Sequence, residues 1–261
     1  QSLLSADLGT IARLGLKRTL KNASGLISPT KYIQNDLSQF GVNASDVKVI
    51  YNGIDCSLFK PITNDEDRVL IQPFAIQRPY IIYASRITHE QKCHVELIKA
   101  FALFKKETGA PHRLVIAGSD GNNSEAVHNA VIQSGFSSDI LLTGYFPHES
   151  LPQLYSSADL CVFPSMIEGV GLPVIEAMAC GVPVACARAG ALPEIAGDSA
   201  LFFNSKKPEE IAEAISSLID CDENAAKRKE MIDNGFEWVK QYNWETTAHQ
   251  TIEYIDSLLK K

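Results

Sequence analysis

The chain lacks any apolar run approaching the ~18–20 residues that a membrane-spanning helix needs. It also lacks a surplus of positive charge: 24 Lys and Arg stand against 31 Asp and Glu, a formal net charge of −7. Nucleic-acid binders usually carry a basic footprint, so nucleic acid is not expected as a partner. The six cysteines, at 56, 93, 161, 180, 186 and 221, form no C-x-x-C pair. Several lie inside apolar runs, which reads as buried free thiols in a reducing compartment. The six histidines, at 89, 94, 112, 128, 148 and 249, give no H-x3-H pair, so no metal site is expected. G-x-G-x-x-G is missing, which argues against a dinucleotide redox cofactor. G-x-S-x-G is missing too, which leaves a hydrolase triad without support. No secretory signal stands at Gln1, and because that residue is not Met the natural start is read as missing. Without such a signal, the glycosylation sequons at Asn22, Asn43 and Asn122 read as chance matches.

What is present is an ordinary globular composition, 45% hydrophobic and 21% charged over 261 residues. That length suits one large domain or two smaller ones. Residues 1–24 place Arg13, Lys17, Arg18 and Lys21 among Leu14, Leu16 and Leu20. This pattern suits either a plain surface helix or a basic amphipathic one resting on an anionic membrane. A short strand within residues 25–30, a helix over Lys31–Phe40, and a second strand in Val47–Asp55 ending at Asn52-Gly53 follow. Residues 61–68 are polar and punctuated, and read as a linker.

From Tyr80 onward strands and helices alternate. Strands are expected at Tyr80–Ala84, Leu114–Ala117, Ile140–Thr143, Leu160–Phe163, Pro183–Ala187 and Ala200–Phe203. Helices are expected at His94–Lys106, Glu125–Ser134, Glu149–Ala158 and Pro173–Cys180, with a turn at Pro193–Ile195. Further helices at Pro208–Asp220, Asn224–Gln241 and Thr246–Leu259 close the chain. Such alternation implies an α/β fold, a parallel sheet covered on both faces. Ligands of these sheets sit beyond the strand C-terminal ends, where Arg86, Gly118, Gly144 and Glu168 fall.

The most informative stretch is 163–190, FPSMIEGVGLPVIEAMACGVPVACARAG. It reads as a buried strand end, a glycine turn carrying Glu168, and a short apolar helix carrying Glu176. Gly169 and Gly171 allow the backbone to bend and approach a ligand closely. Pro173 suits the first helical position, and Gly181 terminates the helix. The helix start then offers free N–H groups, a setting that favours phosphate. In the first strand–helix turn, Arg86 and Lys92 are two cations beside a strand end. Fixed cations stabilise negative charge as it builds on a leaving phosphate, with Arg able to grip two oxygens and Lys acting as a point charge.

Glu168-Gly-Val-Gly-Leu-Pro-Val-Ile-Glu176 and its tail Ala177-Met-Ala-Cys-Gly-Val-Pro-Val184 resemble the E-x7-E signature of the retaining nucleotide-sugar glycosyltransferases of family 4, which have the GT-B fold. Many members carry an aromatic residue where this chain has Val170, a departure that bears on the shape of the sugar pocket. The resemblance implies a Rossmann-like parallel sheet with helices on both faces. It implies that Arg86 and Lys92 hold the diphosphate, that Glu168 meets the donor sugar, and that Glu176 binds the ribose hydroxyls. Arg86, Lys92 and Glu168 are thus the expected catalytic residues. Donor binding falls to Glu176, Gly169, Val170, Gly171, Leu172, Gly118, Tyr145 and Phe146, the last two within a Gly144–His148 loop that resembles the family's nucleobase contact. Asp65-Glu-Asp67 and Asp220-Cys-Asp222 spell D-x-D, the metal signature of the other glycosyltransferase architecture. Neither follows a buried strand, and both read as solvated charge.

The implied organisation is a remnant of the acceptor domain with the crossover in residues 1–60, a donor domain over 61–241, and a terminal helix over 242–261 crossing back to the first domain. Ile252, Ile255 and Leu258 are expected to be exposed there. The implied activity is metal-independent transfer of a hexose from a donor such as a GDP- or UDP-hexose to a glycan or lipid-linked acceptor, mannosyltransferase-like, in polysaccharide or glycolipid synthesis. No cofactor is expected. A cytoplasmic setting is expected, with peripheral contact to the inner membrane face through the basic N-terminal segment. Alternatives are a non-catalytic nucleotide-sugar-binding partner subunit, a nucleotide-sugar epimerase and a glycan phosphorylase of the same fold. This chain alone is expected to lack most of the acceptor domain and to be inactive in transfer.

Overall fold

The computed structural model describes residues 10–62, 68–71, 74–219 and 225–260. The N-terminal part comprises α1 (Thr10–Asn22), β1 (Leu26–Ser28), α2 (Lys31–Asp36) and β2 (Val47–Val49). An antiparallel pair, β3 (Arg68–Ile71) and β4 (Phe74–Gln77), leads into the main body. There follow β5 (Tyr80–Ala84), α3 (His94–Thr108), β6 (Arg113–Ala117), α4 (Ser124–Gln133), β7 (Ile140–Leu142), α5 (Leu151–Ser156) and β8 (Leu160–Phe163). The rest comprises α6 (Leu172–Ala179), β9 (Val184–Ala187), α7 (Leu192–Ala196), β10 (Leu201–Phe203), α8 (Pro208–Ile219), α9 (Ala225–Val239) and α10 (Trp244–Leu259).

The six strands β5 to β10 form one parallel sheet in the order β7-β6-β5-β8-β9-β10. The interior strands β5, β8 and β9 are buried at every position, as strands covered on both faces must be. Their Tyr80–Ala84, Leu160–Phe163 and Val184–Ala187 therefore read as unbroken apolar runs rather than alternating ones. Helix α3 packs against α4 and α8, while α6 packs against α5, α7 and α9. Strand β5 pairs with β6 on one side and with β8 on the other. The strand order reverses there, so the loops leaving β5 and β8 diverge and leave a crevice between them. That crevice is where open α/β sheets bind their ligands.

The chain end returns to its beginning. Ile54 N–H donates to the Tyr242 carbonyl at 3.1 Å, and Thr247 Oγ1 donates to the Tyr51 carbonyl at 2.7 Å. Leu26 N–H donates to the Tyr254 hydroxyl at 3.2 Å, so α10 crosses back onto β1. Leu258 lies against Gly25 and is half-buried, which corrects the expectation of its exposure. Ile252 and Ile255 are exposed, as is Leu259.

Other boundaries move for local reasons. The expected linker at 61–68 ends in β3, one half of a hairpin that Pro73 and the flanking charges concealed; the Asp65–Asp67 and Asp220–Asp222 motifs lie outside the described residues. The second strand of the N-terminal part stops at Val49, and Ile54 beyond it makes an isolated bridge to Asn243. The helix from Lys31 becomes a 3-10 turn at Leu37. Helix α5 begins only at Leu151, after a 3-10 turn at His148–Ser150, with Pro152 in its first turn. Cys93, Cys161, Cys180 and Cys186 are buried free thiols and Cys56 is exposed; Cys221 lies outside the described residues.

Candidate functional site

The crevice between the loops after β5 and β8 holds a cleft of about 390 Å³. Strand β5 delivers Ser85 and Arg86 to it, β6 delivers Gly118 and Ser119, and the loop after β7 delivers Tyr145, Phe146 and His148. Leu172, Pro173 and Glu176 of α6 and Tyr155 of α5 complete the wall. The floor depends on Gly118. A Cβ there would overlap the Ser85 carbonyl oxygen, and the Ser85 N–H already donates to the Ala117 carbonyl at 2.9 Å. Only a residue without a side chain lets the two strand ends approach this closely.

Helix α6 starts at Leu172 behind Gly171, which has φ 73°, so Pro173 is its second residue rather than its first. A proline N–H is not needed at either position. The first turn faces the cleft, and one turn further on α6 carries Glu176. That carboxyl is 8% exposed, not on a solvated helix face. Burial raises its pKa, and His148, whose Nε2 lies 3.7 Å from Oε1, offsets part of the rise. Beside it, the Tyr155 hydroxyl is buried with no hydrogen-bond partner. Burial, and then the Glu176 charge, push its pKa well up, so it is a proton donor without an acceptor.

A second group of side chains stands where the loop after β5 meets the loop after β8. Lys92 Nζ pairs with Glu168 Oε2 at 2.6 Å, both side chains largely shielded. The Tyr83 hydroxyl donates to the Lys92 carbonyl at 2.9 Å, and Met166 N–H donates to the Gln91 carbonyl at 2.9 Å, a bond that ties the two loops together. His94, fully buried at the start of α3, has Nε2 3.1 Å from Ser85 Oγ. Burial, assisted by the Lys92 charge, drops its pKa to about 3, so it is neutral near pH 7.

The expected site residues thus fall into two adjoining groups. Arg86, Gly118, Tyr145, Phe146, Leu172 and Glu176 line the cleft. Lys92 and Glu168 form the ion pair beside it, and Gly169, Val170 and Gly171 make the turn between Glu168 and α6. Tyr145 is exposed, whereas the Phe146 ring is buried and stacks on Phe74 at 5.9 Å, so its side chain belongs to the core. Sequence reasoning passed over Ser85, His94, His148 and Tyr155. For His148 the signal was present, since it ends the loop that carries Tyr145; nothing local marks Tyr155. Among the described residues no cluster of His, Cys, Asp and Glu is placed to hold a metal ion.

This doubly wound sheet, open at its switch point onto a buried acid, an arginine and a bare helix start, has the GT-B glycosyltransferase fold. The comparisons narrow this class. The model of "Glycosyl transferases group 1" matches residues 68–238, and that of "Glycosyltransferase Family 4" matches residues 4–58. The chain belongs to the glycosyl transferases group 1 family. It is 27% identical over 240 residues to an O-antigen chain mannosyltransferase B of Escherichia coli, covering 91% of this chain and 61% of that one. It is 26% identical over 247 residues to an MMP alpha-(1->4)-mannosyltransferase of Mycolicibacterium hassiacum, covering 94% and 57%. Among solved structures, Anabaena Alr3699/HepE in complex with UDP and glucose superposes with a TM-score of 0.82 at 22% identity, covering 98% of this chain and 70% of that one. The chain therefore spans about three-fifths of the length of the curated relatives it matches.

Proposed function

We propose that this chain binds a nucleotide-diphosphate hexose and forms the donor half of a retaining hexosyltransferase of mannosyltransferase type, acting in polysaccharide or glycolipid synthesis. The observation that carries the reading is the buried Glu176 carboxylate on a cleft that Arg86 also lines, at the switch point of the sheet. A buried acid is costly unless a ligand satisfies it, and ribose offers two adjacent hydroxyl donors. The base then lies toward Tyr145 and the diphosphate between Arg86 and the start of α6, where a helix N-terminus favours anions. Lys92 has three N–H donors, so it can hold Glu168 and a phosphate oxygen together. Glu168 accepts from the sugar hydroxyls at the far end of the donor. As the glycosidic bond breaks, charge accumulates on the diphosphate, and these fixed cations stabilise it without a metal ion.

The acceptor is a glycan or a lipid-linked sugar, in keeping with the names of the relatives. We assign its recognition to residues other than those of the cleft, which no residue of the described N-terminal part lines. Among the described residues no helix is long and apolar enough to cross a membrane. The basic helix α1, with Lys17, Arg18 and Lys21, suits a peripheral contact with anionic lipid. The test is calorimetric titration with UDP, GDP, UDP-glucose and GDP-mannose. Submicromolar to micromolar binding of one base, tighter with its sugar attached, supports the reading; no binding of any of the four overturns it.

A further inference from the structure

Glu194 lies outside the cleft, in α7, yet its carboxylate is fully engaged. Oε1 accepts from the Lys31 N–H at 2.7 Å and from the Tyr51 hydroxyl at 2.7 Å, and Oε2 accepts from the Tyr32 N–H at 3.0 Å. One acid thus satisfies the start of α2, which has no intrahelical partners for these N–H groups, and reaches the segment after β2 as well. Burial and the bond to Glu194 raise the Tyr51 pKa, which keeps its hydroxyl protonated and donating.

A second tether runs parallel to the first. Thr30, fully buried, caps α2 by accepting from the Ile33 N–H at 3.2 Å, and its Oγ1 donates to the Gly169 carbonyl at 2.9 Å. On the opposite side the Ala191 N–H donates to the Glu168 carbonyl at 2.8 Å. Gly190, at φ 58°, lies so close that a Cβ would fall 2.6 Å from that same oxygen. The peptide that carries Glu168 is therefore gripped between α2 and the turn entering α7, and Glu194 bolts those two elements to each other.

We infer that Glu194 and Thr30 are positioning residues that couple the docking of the N-terminal segment to the placement of the Glu168 carboxylate. The inference rests on the donor reading, in which Glu168 meets the sugar. Neither residue lines the cleft, so the nucleotide end, held by Glu176 and Arg86, is independent of them. When the tethers are intact, Glu168 is fixed at the boundary between the donor loop and the segment that leads to the acceptor side. When they are cut, the turn at Gly169–Gly171 is free to shift and the sugar loses its partner.

The experiment compares, on the full 261-residue chain, the affinities for UDP and UDP-glucose and for GDP and GDP-mannose by calorimetry. The wild type should bind one sugar nucleotide several-fold more tightly than its diphosphate. Thr30→Val, which keeps the shape and loses the hydroxyl, and Glu194→Ala should each bring that ratio to about one while moving diphosphate affinity by less than about threefold. Thr30→Ser, which keeps the hydroxyl, should restore the ratio. Should Glu194→Ala fold poorly, Glu194→Gln retains one accepting oxygen and should give an intermediate ratio. Three results overturn the inference: a wild-type ratio retained in both Thr30→Val and Glu194→Ala; parallel losses for diphosphate and sugar nucleotide, which mark a merely structural role; or no sugar preference in the wild type. The last also removes Glu168 from the donor reading, whereas the first leaves that reading intact.

Discussion

Replacing Glu176 with Gln should make the unliganded protein more stable and its nucleotide binding weaker. The carboxyl is 8% exposed, and burial raises its pKa above the ordinary 4.5 despite His148 nearby. An acid with a folded pKa above its unfolded one binds more protons folded than unfolded between those values. Stability therefore falls as pH rises through that window, and the penalty persists at neutral pH. Glutamine has the same shape and no charge to desolvate. Replacing buried ionic groups with neutral ones gains at the low end about 1 kcal/mol, which corresponds to roughly 2–4 °C in Tm for a chain of this size. The ligand loses by the same change. A hydrogen bond to a charged acceptor contributes ~1.5–3 kcal/mol against ~0.5–1.5 for a neutral one, so two ribose hydroxyls lose about 2 kcal/mol. That is about 30-fold in Kd. Calorimetric melting between pH 4 and 8, with titration of UDP and GDP, reads both effects. The Tm gain should shrink as pH falls toward 4.5, where the native carboxyl is protonated. An unchanged or lower Tm at neutral pH together with unaltered affinity would refute both the burial argument and the ribose assignment.

Assayed in a form of the protein that supplies a complete acceptor domain, Arg86→Ala and Lys92→Ala should each slow transfer by ~10²–10³-fold, the loss seen when one fixed oxyanion stabiliser is removed; a change below tenfold in steady-state assays counts against their phosphate role. Nucleotide affinity should survive EDTA, since Arg86, Lys92 and the start of α6 provide the positive potential; a loss in EDTA that manganese restores would show that the site needs a metal. His94, held neutral with a pKa of about 3, takes up a proton more readily in the unfolded chain. It thus costs stability as pH falls from about 6.5, and the loss is complete only near 3. His94→Gln should flatten the Tm profile between pH 6.5 and 4, and an equally steep acid limb in this variant would argue against it.

Much of this was legible in the sequence, for identifiable reasons. Tyr80–Ala84, Leu160–Phe163 and Val184–Ala187 are apolar without alternation because both faces of the sheet are covered, so type and position were plain. Glu168 and Glu176 stood out because glycines and a proline punctuate the loop between them. What escaped is what depends on distance in sequence. The strand order that sets β8 beside β5 is a tertiary fact, and no residue pattern announces it. The β3–β4 hairpin is two four-residue strands around a proline, too short for periodicity to show. The Lys92–Glu168 pair joins residues 76 positions apart, and the three bonds of Glu194 span more than 140. Tyr155 looked like one more apolar helix residue; only packing reveals that its hydroxyl ends without a partner.

The buried cysteines give this fold its own unfolding clock. Alkylating reagents attack thiolates, and burial pushes Cys93 and Cys180 up to about 12 and Cys161 and Cys186 higher still. In the native state these four are silent to a maleimide, while the exposed Cys56 is within its reach. Each silent thiol reacts only after the structure around it opens. Cys161 and Cys186 sit on neighbouring interior strands, Cys161 in register with Val184 and Cys186 with Phe163. They should therefore label together, at the rate of global unfolding. Cys93 precedes α3 and Cys180 ends α6, at element ends that open at lower free energy. Timed labelling read by mass spectrometry would then separate the fraying of the loop that presents Lys92 from the rupture of the sheet itself, without introducing any further cysteine.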